Sequence, residues 1–229
     1  MQIVYIHGLN SDHTAEKGKL LDEFCQKHFP QIHVHRPNLN HAPAKVEQLL
    51  KDLIAKDPQT GLVGSSLGGF FATLMANETG KKAVLLNPSM TPHESLKRFF
   101  PEEGDNKVFD DLPNDYEQKH IKRACKKVFD DLPNDYVAMT TDTGWEMTKS
   151  DILWLEEHHQ SQAKHPENIL LIVKKGDELL NYQDSVDFFS QDGHQSHIII
   201  EDGGNHRMDD FDTKLAQVVQ FLFGLPLTK

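Results

Sequence analysis

The sequence predicts a three-layer α/β fold built on a mainly parallel six-stranded sheet, with an insertion at residues 89–150. Three observations support this. Short apolar runs alternate with helical patterns along most of the chain, the arrangement that joins parallel strands through crossover helices. The chain has 229 residues, of which 38% are hydrophobic, enough to bury one full core. The alternation stops after about residue 88 and resumes near 150.

The strands are expected near 2–7, 32–36, 61–65, 82–87, 168–174 and 196–201. Over 43–55 the apolar positions Val46, Leu49, Leu50, Leu53 and Ile54 fall on one helical face before Asp57-Pro58 stops it. The last helix repeats that logic with Phe211, Leu215, Val218, Val219 and Leu222. Residues 67–76 are apolar nearly all round, which predicts a helix buried behind the sheet rather than one facing water.

The insertion contains the decapeptide Lys-Val-Phe-Asp-Asp-Leu-Pro-Asn-Asp-Tyr twice, at 107–116 and at 127–136. Two such short copies are too few for a solenoid, so they read as a local duplication inside a cap or lid. Phe99, Phe100, Phe109, Phe129, Tyr136 and Trp145 are expected to pack on one another or to line a pocket. The basic run Lys119, His120, Lys122, Arg123, Lys126 and Lys127 reads as a solvated helix face.

A formal net charge of -11 opposes binding to nucleic acid or to anionic lipid. No apolar run approaches the roughly 18 residues of a membrane span, so no integral membrane association is expected. The first strand begins at once, without the pattern of a secretory signal, and there are only two cysteines, Cys25 and Cys125. A cytoplasmic location is the expectation.

The most informative local feature is Gly64-Ser65-Ser66-Leu67-Gly68, where an apolar strand must turn sharply into an apolar helix. A G-x-S-x-G motif in that context predicts a nucleophilic serine, Ser66, on a tight turn that bulkier neighbours would obstruct. The helix N-terminus beneath it favours an anion forming at the reaction centre. A serine hydroxyl needs a base to take its proton and a third group to orient that base.

In this arrangement the partners follow in the order serine, acid, histidine. Asp177, in Gly176-Asp177-Glu178, directly follows a buried apolar strand and is the preferred acid. Glu178 competes with it, and Asp184 is a weaker third choice. His206, after the paired Gly203 and Gly204, is the expected general base and then general acid. The backbone N–H groups of Leu9 and Leu67 are the expected oxyanion donors, since the first strand ends in His7-Gly8-Leu9. His7 itself is expected to brace that loop.

The 14 histidines raise metal binding as a rival reading. His158, His159 and His165 have no zinc-motif spacing, so no metal site is expected. Without G-x-G-x-x-G or a phosphate loop, no cofactor is expected either.

Residues 5–11 (Tyr-Ile-His-Gly-Leu-Asn-Ser), 63–70 (Val-Gly-Ser-Ser-Leu-Gly-Gly-Phe), Leu-Asn-Pro at 86–88, 176–182 (Gly-Asp-Glu-Leu-Leu-Asn-Tyr) and 201–206 (Glu-Asp-Gly-Gly-Asn-His) together resemble the small bacterial YqiA/YcfP-like esterases. These belong to the α/β-hydrolase superfamily. The resemblance covers residues 1–95 and about 145–225. It implies an α/β-hydrolase fold, a triad of Ser66, Asp177 and His206, and hydrolysis of carboxylic esters or acyl thioesters as small-molecule substrates. It departs from the family pattern at 96–144. With six strands the expected sheet order is 2-1-3-4-5-6, which sets Ser66 where the crossover direction reverses. Acyl transfer by the same triad, and a catalytically silent binding protein of the same fold, are the alternative functions.

Overall fold

The structure is a computed structural model that describes residues 1–101, 128–191 and 196–227. Its central sheet contains β1 (Gln2–Ile6), β2 (His33–His35), β3 (Thr60–Ser65), β4 (Ala83–Leu86), β7 (Ile169–Lys174) and β8 (His197–Glu201). They run in the order β2-β1-β3-β4-β7-β8, and every pairing is parallel. That is the predicted order, because the two intervening strands form a separate sheet.

Side chains alternate across a strand, so the four inner strands feed two cores. Val4, Ile6, Leu62, Leu85 and Leu171 face one side. There they meet α2 (Pro43–Ile54), α3 (Leu67–Thr79), α6 (Lys149–Glu157) and α7 (Tyr182–Phe189). Ile3, Tyr5, Val63, Val84 and Ile172 face the other side and meet α1 (Glu16–His28) and α8 (Leu215–Phe223). Two helical layers thus cover both faces of the four inner strands.

Individual elements follow the sequence pattern with small shifts at their ends. In α2 the buried positions Val46, Leu50 and Ile54 form one stripe, with Pro43 in the first turn, where its missing N–H costs nothing. In α3 every residue from Gly68 to Asn77 is buried, as its all-round apolar character predicts. The last helix begins later than expected: Phe211–Lys214 form a 3-10 turn, and regular helix starts at Leu215.

Between β4 and β7 lie the short α4 (Pro92–Ser95), a helical turn α5 (Val128–Asp131), and an antiparallel hairpin of β5 (Val137–Thr140) and β6 (Glu146–Thr148). The hairpin was not anticipated. The 107–116 copy of the decapeptide, the basic run and Cys125 lie outside the described residues.

In the second copy, Phe129 meets Phe100 edge-on at 4.9 Å, and Tyr136 lies 6.0 Å from the same ring. Lys149, 6% exposed, donates to the carbonyls of Asp130 and Leu132, both at 2.7 Å. A capping box between Thr148 and Asp151 starts α6 just beyond the hairpin.

Candidate active site

Ser66 stands between β3 and α3 with φ 56° and ψ -122°, a conformation few non-glycine residues adopt. Such a backbone costs about 1–3 kcal/mol and persists only where its surroundings over-determine it. Here they do. The Ser66 N–H donates to the Leu86 carbonyl at 3.1 Å, and its own carbonyl accepts from Gly69 at 2.8 Å and from Ser89 at 3.0 Å.

The glycines of the motif are required by close backbone approach. A Cβ on Gly64 would lie 2.3 Å from the Gly68 carbonyl oxygen, and one on Gly68 would lie 2.0 Å from that of Ile6.

The loop after β1 lies directly against the serine. A Cβ on Gly8 would stand 3.0 Å from the Ser66 Cβ. His7, 5% exposed, holds this loop: the Leu39 N–H donates to Nε2 at 2.9 Å, so Nε2 is unprotonated. Nδ1 must then carry the proton, which it gives to the Gly8 carbonyl at 2.9 Å. Burial holds the His7 pKa below its usual value despite opposing help from Gly8 and Asp12. The expected bracing role of His7 has this concrete form.

Ser66, Leu9, Leu67 and His206 line one cavity of about 860 Å³, together with Phe99 and Leu180. Neither the Leu9 nor the Leu67 amide donates to another backbone carbonyl among the described residues outside regular elements. Asp177 sits behind His206 with its side chain 2% exposed. Its carboxylate oxygens accept from the imidazole Nδ1 at 2.8 and 3.0 Å. With Nδ1 donating, the neutral ring carries its lone pair on Nε2.

Asp177 also accepts from the Leu179 and Leu180 amides, each at 2.9 Å. Burial alone would raise its pKa. The His206 bond, the two amides and the positive charge of the ring when it is protonated outweigh burial, and the net shift is downward.

The two competing acids have other occupations. Glu178 accepts the backbone N–H of His206 at 2.9 Å, so it ties down the loop and leaves the ring to Asp177. Asp184 accepts from Asn181 at the start of α7.

Sequence reasoning missed the supports of this loop. Lys174, 5% exposed, lies beneath it, and a Cβ on Gly204 would stand 2.6 Å from its Cδ. The ammonium pairs with Glu201 at 2.6 Å and also with Asp210. Lys214 pairs with the same two carboxylates at 2.9 and 3.2 Å. The signal was present as a lysine ending an apolar strand run, but nothing local names its partners.

The histidines considered for metal diverge. His158 stacks on Trp154 at 3.8 Å, His159 lies against His93 at 5.1 Å, and His165 lies beside Gly80. Among the described residues no group of three or more potential ligands converges to hold a metal ion.

Residues 2–223 match the family described as "Uncharacterised protein family (UPF0227)". The chain belongs to that family. It is the YqiA/YcfP-like group that the motifs resemble.

A UPF0227 protein of Shewanella woodyi is 26% identical over 100 residues, covering 41% of this chain and 54% of that one. The chain thus spans about half the length of the curated relative it matches. Est1E from Butyrivibrio proteoclasticus superposes with a TM-score of 0.65 at 14% identity, covering 97% of this chain and 87% of the other. Alpha/beta hydrolase domain-containing protein 10 from mouse gives 0.64 at 15% identity, with 96% and 89% covered. A monoacylglycerol lipase from Paleococcus ferrophilus gives 0.56 at 17%, with 96% and 93% covered. At these identities the likeness establishes the α/β-hydrolase fold of this UPF0227 member.

Among the described residues no helix is long and apolar enough to cross a membrane.

Proposed function

We propose that this UPF0227 member is a serine hydrolase acting on small carboxylic esters or acyl thioesters through an acyl-enzyme at Ser66. The observation that carries the reading is the Asp177–His206 hydrogen bond at the wall of the cavity that Ser66 also lines. Two proteins of the same fold support the substrate class, one a monoacylglycerol lipase and the other Est1E with bound ferulic acid.

In this reading Nε2 of His206 takes the Ser66 proton as Oγ attacks the acyl carbonyl carbon. The carbonyl oxygen gains the negative charge and is met by the Leu9 and Leu67 amides, already fixed by the His7 brace and the start of α3. Asp177 stabilises the imidazolium as it forms. The tetrahedral species collapses when His206 returns its proton to the leaving alcohol or thiol. Water then gives a proton to the same imidazole and attacks the acyl carbon, and the second tetrahedral species collapses as His206 returns that proton to Ser66 Oγ and the acid leaves.

Ser66→Ala is expected to lower hydrolysis of p-nitrophenyl and acyl-thioester substrates by about 10⁶, the loss typical of removing the nucleophile of such a triad. It is also expected to abolish labelling by a fluorophosphonate probe. Equal hydrolysis by wild type and variant rejects the reading, and a folded wild-type protein that takes no probe points to a binding protein.

A further inference from the structure

Asn87 follows β4, is 3% exposed and holds φ 42°. Its side chain has one satisfied orientation. Oδ1 accepts the Lys174 N–H at 2.9 Å, while Nδ2 donates to the carbonyls of Asn205 and His206, both at 3.1 Å. Turned over, the amide would set an oxygen against two carbonyls and its NH₂ against an N–H, so the network fixes the assignment.

The adjacent residue, Leu86, accepts the Ser66 N–H, and Ser89 donates to the Ser66 carbonyl. One short segment at the end of β4 therefore grips the serine turn and the histidine loop at once.

We propose that Asn87 is a positioning residue that sets the separation of His206 from Ser66, by tying the histidine loop to the strand end that pins the serine turn. This rests on the hydrolase reading for its consequence in turnover, and on the hydrogen bonds alone for its effect on His206.

The chemistry selects asparagine. Aspartate keeps an acceptor for Lys174 but turns a carboxylate toward two carbonyl oxygens, and leucine has neither donor nor acceptor. Glutamine adds a methylene to a buried, filled site. Asparagine also tolerates the left-handed backbone that most side chains resist. The His206 backbone is then held at both ends, its N–H by Glu178 and its carbonyl by Asn87, while Asp177 holds the ring.

The test compares Asn87→Asp and Asn87→Ala with wild type in two measurements. In p-nitrophenyl ester hydrolysis both variants are expected to lose about 10² in kcat with KM little changed, the scale of loss from misplacing a catalytic group by about 1 Å. In proton NMR the His206 Hδ1 resonance, bonded to Asp177, is expected to shift or broaden in both variants, with or without Ser66→Ala.

Folded variants with wild-type kcat and an unmoved resonance overturn the proposal, as does a rise in KM alone. Loss of the fold in both variants also overturns it, since Asn87 is then a structural residue. If wild-type hydrolysis proves independent of Ser66, the hydrolase reading falls, and the resonance alone decides: a moved signal sustains the positioning role and an unmoved one ends it.

Discussion

Asp177 and Glu178 are adjacent acids that hold different atoms of one histidine. Asp177 takes the imidazole N–H, and Glu178 takes the backbone N–H. Their substitutions should therefore separate. In the proposed mechanism Asp177→Asn would remove the charge that stabilises the imidazolium and would permit the wrong tautomer, and it is expected to lower kcat by about 10⁴. Glu178→Gln retains an acceptor for the His206 amide and is expected to leave kcat within a few-fold of wild type. Steady-state hydrolysis of one ester by both variants checks this, and the reverse order would transfer the acid role to Glu178. Sequence order favoured Asp177 because it is nearer the strand end. The division of labour was not legible, because it depends on how the 203–206 loop returns over β7.

Among the elements, α3 is packed backbone against backbone. Its glycines admit the helix to the sheet: the Cβ of an alanine at Gly68 would meet the Ile6 and His7 carbonyl oxygens at 2.0 and 2.7 Å. Those atoms belong to the β1 end that carries the Gly8-Leu9 loop, so neither side can yield without shifting the site. Gly68→Ala is expected to cost at least about 1–3 kcal/mol, the usual scale of overpacking. It should also depress ester turnover. For Gly61→Ala the three nearest atoms all belong to the Leu222 side chain rather than to backbone, and the change is expected to cost less. Thermal melts of the two variants test the contrast. The motif glycines were readable in the sequence as needing close approach. Which backbone they approach was not, since Ile6 and Gly68 are 62 positions apart.

At the scale of the whole molecule, two buried lysines, Lys174 and Lys214, meet the carboxylates of Glu201 and Asp210 beneath the histidine loop. Glu201 and Asp210 are each pushed upward by burial and pulled down further by Lys174 and Lys214, for a net lowering. Asp177 is likewise lowered. Carboxyls with folded pKa values below their unfolded ones contribute stability that is present above about pH 4 and lost as pH falls through the folded values. Lys174 is lowered by burial but raised more by its two carboxylates, so its contribution holds below about pH 10 and fades as pH rises through its folded pKa. His7, lowered by burial, adds a loss beginning as pH falls below about 6.5, where the unfolded chain takes up a proton and the folded one does not. Tm measured from pH 8 to pH 3 is expected to decline first near the histidine range and then more steeply in the carboxylate range. A flat profile across both would contradict this account.

The sequence by itself determined the alternation of parallel strands with helices, the buried α3 and the tight serine turn, because these follow from local periodicity and from glycines at fixed offsets, whereas the strand order was implied by the resemblance to the family. The β5–β6 hairpin escaped notice, since its strands are only four and three residues long and too short to show an alternation. Only tertiary structure decided that Asp177 reaches the His206 ring, that Glu178 holds its backbone, and that Asn87 joins the histidine loop to the strand end beside Ser66. Those contacts link residues 28 to 119 positions apart. Their partners are set by how helices and sheet close on one another, which no short window of sequence encodes.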